Sequence, residues 1–174
     1  MVAAPEVFGL WTELRVGLGD FFRFGLAAEF FDVLGVRGFF GGLYRYDDGP
    51  NDYGSLTGLG LSAFVWSPGP VRLKVVGEVA RYCVAPADGL AVFRTGTFSV
   101  TGASGPLYGV GGAIELALST SWALELEGTG RRYDGTIEGN VWVVRGEEID
   151  SLEATRDDDA WTTVVGLSIR ARLL

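Results

Sequence analysis

A chain of 174 residues, 48% hydrophobic and 21% charged, is long enough for one domain with a real core. Its formal charge of −8, with no basic face, excludes nucleic acid as a partner. With one cysteine and no histidine it has no disulfide framework, no cysteine-built zinc site and no Ser–His or Cys–His nucleophile pair. Lys74 is the single lysine, so the Lys/Glu coat of a soluble domain is missing as well. A spanning helix needs about 20 apolar residues in a row. The best stretch, from Phe21 to Tyr44, is broken by Arg23, Glu29, Asp32 and Arg37. Met1–Pro5 carries no charged segment leading into an apolar run, so no export signal is read there.

What remains is alternation with period 2, the mark of strands with two unlike faces. In the first run Phe8, Leu10, Thr12, Leu14, Val16 and Leu18 oppose Gly9, Trp11, Glu13, Arg15 and Gly17. The second sets Phe22, Phe24, Leu26, Ala28 and Phe30 against Arg23, Gly25, Ala27 and Glu29. The third sets Val36, Phe40, Tyr44 and Tyr46 against Arg37, Phe39, Gly41, Leu43 and Arg45. The fourth sets Thr57, Leu59, Leu61, Ala63 and Val65 against Gly58, Gly60, Ser62, Phe64 and Trp66. In the fifth, Val71, Leu73, Val75 and Val79 oppose Arg72, Lys74, Glu78 and Tyr82. In the sixth, Tyr108, Val110, Ile114, Leu116 and Leu118 oppose Gly109, Gly111, Ala113, Glu115 and Ala117. The seventh pits Trp122, Leu124 and Leu126 against Glu125, Glu127, Thr129 and Arg131. The eighth pits Trp161, Thr163, Val165, Leu167, Ile169, Ala171 and Leu173 against Thr162, Val164, Gly166, Ser168, Arg170 and Arg172.

Tight turns at 32–35, 67–70 and 119–121 alternate with long connections at 47–54, 84–106 and 134–160, while Gly19-Asp20 is a short link on the long-loop side. Strand-like pieces at 92–100 and 140–145 predict two hairpins rising above the rest. The expectation is an all-β single domain over residues 1–174. Its form is an eight-stranded antiparallel up-and-down transmembrane β-barrel, with short turns on one side and long loops on the other.

Alternation by itself does not say which face points inward. A lipocalin is also an eight-stranded barrel, apolar inside, and Gly9-Leu10-Trp11 matches its short Gly-x-Trp element. Trp11, however, falls on the charged face. That face combines Gly, Ala, Ser and Thr with charges of both signs, which suits a narrow interior crossed by paired Arg and Glu chains. The other face is long enough for a bilayer, and aromatic residues gather near its ends. Tyr44, Tyr46, Tyr108 and Trp161 mark the long-loop side, and Phe8, Phe30 and Trp122 the turn side. The polar face is therefore placed inside and the apolar face against lipid.

With this pattern the chain resembles the small eight-stranded outer-membrane barrels of the OmpA/OmpX type, most clearly over the strand–turn–strand from Gly111 to Tyr133. It departs from that family in ending on Leu174, where an aromatic residue is common. The resemblance implies a monomer in the bacterial outer membrane, with the lipid bilayer as partner and no cofactor.

The predicted lumen charge network is Glu13, Arg15, Arg23, Glu29, Arg37, Lys74, Glu78, Glu115, Glu125, Glu127, Arg131, Arg170 and Arg172. Eight strands leave an interior that side chains can fill, so these residues read as a plug rather than a channel lining. Glu125 and Glu127 share a face and have the residue type for acid–base work; the plainer role is counter-ion to luminal arginines, and no catalytic residue is assigned. The connections 47–54 and 134–160 are strongly acidic. Asp157-Asp158-Asp159 offers oxygen ligands for a divalent ion but lacks EF-hand spacing, so it reads as a solvated charge run and no metal site is assigned. Cys83 is expected as a buried or interfacial bystander. Arg81 and Arg132 fall on the lipid-facing side at the outer strand ends, where they snorkel or meet headgroup phosphates, including those of lipopolysaccharide. The expected function is a structural or surface-interaction role without catalysis; the alternative is a small hydrophobic-ligand-binding barrel, either a lateral transporter in the membrane or a soluble lipocalin-like carrier.

Overall fold

The computed structural model describes residues 8–45, 52–67, 69–86, 91–92, 98–145 and 148–174. Its strands are β1 (Phe8–Leu18), β2 (Asp20–Phe30), β3 (Leu34–Arg45), β4 (Asp52–Trp66), β5 (Val71–Pro86), β6 (Ala91–Val92), β7 (Phe98–Ala117), β8 (Trp122–Arg145) and β9 (Glu148–Arg172). Successive ring strands pair antiparallel. Pairing of β5 with β7 and of β1 with β9 closes eight strands into a barrel. The two-residue β6 adds to the upper part of β7, outside the ring.

The turn after β2 comes slightly earlier than the sequence suggests. Phe31 and Asp32 take φ of 53° and 52°, and Val33 N donates to the Phe30 carbonyl over 3.0 Å. Positive φ at both central positions suits a turn between right-twisted strands, and with Phe30 opposite Leu34 the connection is three residues long, so β3 begins at Leu34. At the turn before β8, the Ser119 hydroxyl accepts from the Ser121 and Trp122 amides at 3.2 and 3.1 Å.

The segment 134–160, expected as a long connection, is strand over 134–145 and 148–160. β8 and β9 continue in register up to the Arg145–Glu148 pair and form a hairpin far taller than the lipid-facing band. Trp66, expected inside, points out. The β4–β5 register slips between Phe64, opposite Lys74, and Trp66, opposite Leu73, and Trp66 is 55% exposed. It joins Phe8, Phe30 and Trp122 in the aromatic rim on the turn side, while Tyr108 and Trp161 are exposed on the loop side. Tyr46, Asp47, Asp48 and Glu147 lie outside the described residues, as do the side chains of Tyr44, Asp52 and Asp150.

Along the band between these rims the aliphatic residues face out. Leu14, Val16, Leu26, Leu59, Val79, Ile114, Leu126 and Leu167 are all exposed. Higher up, the pattern inverts. Leu43, Leu56, Tyr82, Leu107, Tyr133 and Ile137 pack together inside the barrel, while Asp134, Thr136, Glu138, Asp157 and Asp159 face outward. An apolar-out, polar-in wall suits hydrocarbon, and the reverse suits water. The change falls at the level of Trp161 and Arg132, which are register partners.

Candidate functional site: the luminal charge lattice

Among the described residues, the inward rows of β1–β5 and β7–β9 carry seven carboxylates and seven cations between two apolar layers. Trp11, Ala27 and Ala123 close the turn side, with the Arg170 guanidinium 5.0 Å from the Trp11 ring. The Tyr82–Tyr133 cluster closes the loop side, and Arg23 sits 4.1 Å over Phe39 at its floor.

Three groups of ion pairs are stacked along the barrel axis. Nearest the turns, Lys74 contacts Glu115, Glu125 and Glu29 at 2.5, 2.6 and 3.5 Å. Arg170 meets Glu29 at 2.6 Å and also binds Glu115, which Arg72 holds from the other side. In the middle, Glu127 accepts from Arg15 at 2.5 Å, from Arg37 at 2.6 and 3.0 Å, and from the Thr129 hydroxyl at 2.8 Å. Nearest the loops, Arg131 donates to Asp20 at 2.5 and 2.8 Å and to Glu78 at 2.5 Å. Arg23 bridges the same two carboxylates at 2.7 and 2.9 Å. Arg37 links the levels through longer contacts to Glu13, Glu78 and Glu125, at 3.7, 3.8 and 3.8 Å.

Glycine makes the room for these chains. A Cβ on Gly166 would lie 2.1 Å from Arg15 Nε, and one on Gly60 would lie 2.6 Å from Arg37 Nε. At Gly109 it would meet Glu78 Cγ at 2.6 Å. The void bordered by Glu13, Glu29, Arg37, Lys74, Glu125 and Arg170 measures about 10 Å³, room for roughly one water.

Of the residues named from sequence, the structure brings twelve into these contacts, with Glu13 also accepting from Ser168 at 3.4 Å. Arg172 lies at the turn-side mouth, half-buried, its Nε donating to the Leu174 carbonyl at 2.7 Å. Glu125 and Glu127 are both buried and bound by cations. Asp157-Asp158-Asp159 does not converge on a common point, because it lies on a strand. Asp158 points inward, accepting from Tyr82 Oη at 2.5 Å, while its two neighbours face outward. Cys83, expected either buried or interfacial, is exposed on the outer face. Arg81 is exposed there too, and Arg132 pairs with Asp159 at 3.0 Å, both exposed.

The sequence reading missed Asp20, Arg72 and Asp158. Arg72 was already on the inward face by alternation. Asp158 was hidden in an acidic run, whose strand continuation shows only in the pairing with β8. Asp20 has the wrong parity; a register slip between Asp20 and Phe22 turns it inward, opposite the buried Leu43.

No protein-family model and no curated protein matches the chain. Among solved structures it is similar to a major outer membrane protein from Thermus thermophilus. That match has a TM-score of 0.58 at 14% identity and covers 97% of this chain and 100% of that one. It is also similar to the N-terminal β-barrel domain of Pseudomonas aeruginosa OprF, with a TM-score of 0.50 at 11% identity, over 94% of this chain and 96% of that one. At such identities the likeness is one of fold. These structural neighbours are bacterial outer membrane proteins, and the fold is that of the small outer-membrane barrel.

Proposed function

We propose that this chain is a monomeric, non-catalytic barrel of the bacterial outer membrane, with a lumen plugged by side chains and a structural or surface-interaction role carried by its long-loop side. The observation that supports this is charge balance in a filled interior. Seven carboxylates and seven cations pair across the lumen, and the void among the turn-side members holds about one water. A pore needs an open path along the axis, and cations paired to carboxylates across the lumen argue against one. A ligand-holding calyx of the lipocalin kind would need the apolar face inside at barrel mid-height, where charged residues lie instead. In planar bilayers the protein should therefore show no steady, large open state. A stable porin-like conductance from the unmodified chain would reject the plug.

The lipid partner follows from the outer rim. Arg81 and Arg132 sit where a charge on the lipid side costs about 0–1 kcal/mol. Arg132 already has Asp159, so Arg81 is the first candidate for a headgroup phosphate, including that of lipopolysaccharide. Binding of lipopolysaccharide to nanodisc-held protein should fall in an Arg81→Gln, Arg132→Gln variant. Equal binding by both proteins at every salt concentration would leave simple snorkelling.

A further inference from the structure

The barrel wall is taller on one side than on the other. β1 and β2 turn back at Gly19, so pairing between β1 and β9 ends where Leu18 meets Val165. β9 runs on upward to Glu148, held along its β8 side by an unbroken register. Among the described residues no strand pairs with its other side above Val165. Above the Trp161 level, Ser151–Ala160 thus presents a strand edge of about 30 Å, with backbone N–H and C=O groups directed away from β8.

The side chains beside this edge have a definite chemistry. On the outward face stand Glu153, Asp157 and Asp159 of β9, with Asp134 and Glu138 of β8 behind them and Arg132 beside Asp159. Asp134 and Asp159 are direct register partners, and like charges placed opposite one another destabilise a strand pair. On the other face of the same edge lie Leu152, 52% exposed, the half-buried Ala154 and the exposed Arg156, one cation against the three carboxylates of the outward row. A second copy of this chain would set the acidic row against itself, and a phosphate-rich lipid surface is repelled by it.

We infer that the β9 edge from Ser151 to Ala160 docks an extended basic segment of a partner protein, which adds one strand to the sheet. Lys or Arg at every second position lies against Glu153, Asp157 and Asp159, and apolar residues between them meet Leu152 and Ala154. Backbone hydrogen bonds hold the segment, and the charge row chooses it. This rests on the surface-interaction reading above and names the class of partner.

The test uses the full chain refolded in zwitterionic detergent, its folding checked by heat-modifiable gel migration, and a labelled peptide alternating Lys and Val. Binding should be saturable, weaken with salt, and slow amide exchange in Ser151–Ala160. A Glu153→Gln, Asp157→Asn, Asp159→Asn variant should bind about tenfold more weakly, and so should the wild type toward a peptide N-methylated at alternate amides. Equal binding of the N-methylated peptide would overturn strand addition, leaving only ion exchange on an acidic patch. The same amide protection from Mg²⁺ or Ca²⁺ alone would make the row a cation site and sink the idea. So would absence of saturable binding at about 1 mM peptide. A folded, non-conducting barrel that ignores the peptide defeats this inference alone, whereas a conducting barrel that binds it defeats the plug alone.

Discussion

Replacing Glu127 by Gln removes one charge from the centre of the lattice while keeping the side chain's shape. Glu127 is fully buried and accepts two contacts under 2.7 Å, from Arg15 and Arg37, plus the Thr129 hydroxyl. Without it, among the described residues, Arg15 keeps only Asp20, 3.9 Å from its Nε. Arg37 falls back on contacts of 3.7–3.8 Å. Breaking a buried pair from one side leaves its partner charge uncompensated and costs about 3–5 kcal/mol. The assay is urea unfolding of the barrel in detergent or lipid, followed by gel shift and tryptophan fluorescence. With a slope near 2 kcal/mol per molar urea, the midpoint should fall by roughly 2 M. Two companions make the result specific. Arg132→Ala breaks the exposed pair with Asp159 and should cost no more than about 1 kcal/mol. Adding Arg15→Met to Glu127→Gln should recover part of the loss, because removing both partners costs less than orphaning one. A Glu127→Gln shift no larger than that of Arg132→Ala would refute the claim that lattice pairing governs stability.

Gly166→Ala should destabilise by about 1–3 kcal/mol, since its Cβ would land 2.1 Å from Arg15 Nε in a packed interior; Gly69→Ala, whose Cβ meets nothing within 4 Å but whose φ is +62°, would show only backbone strain. Thermal gel shift of the two variants separates crowding from strain, and equal shifts would count against the lattice as the source. Tyr82→Phe removes the 2.5 Å bond to Asp158 beneath the tall hairpin and should cost about 1–3 kcal/mol, with faster amide exchange in upper β8 and β9 and none at mid-barrel. Diluted from denaturant, the chain should fold to a β-rich, heat-modifiable form in detergent and aggregate in plain buffer. A monodisperse folded sample without detergent would contradict the apolar exterior.

The sequence by itself determined the number of ring strands, the antiparallel order, and which face of each strand carries charge. These rest on a period of two, and a strand's geometry enforces that period wherever one face must differ from the other. Glu13, Arg37, Lys74 and Arg131 were legible as one set for that reason, although the sequence did not say which carboxylate meets which cation. Pairing partners come from far along the chain, as with Arg37 and Glu127, and depend on how strands are staggered around the ring. Only the tertiary structure decided where the alternation breaks. Slips at Asp20/Phe22 and Phe64/Trp66 bring Asp20 into the lattice and turn Trp66 toward the lipid side. One extra residue reverses the facing of everything beyond it, and a change of phase looks locally like a turn or a strand end. The height of the β8–β9 hairpin was only partly legible, for a related reason: 140–145 read as a strand rising above the rest, whereas the remainder of 134–160 read as a connection. Above Trp161 the outer face becomes acidic and the inner face apolar, so apolar-out alternation ceases to mark the strand just where the surrounding medium changes from hydrocarbon to water.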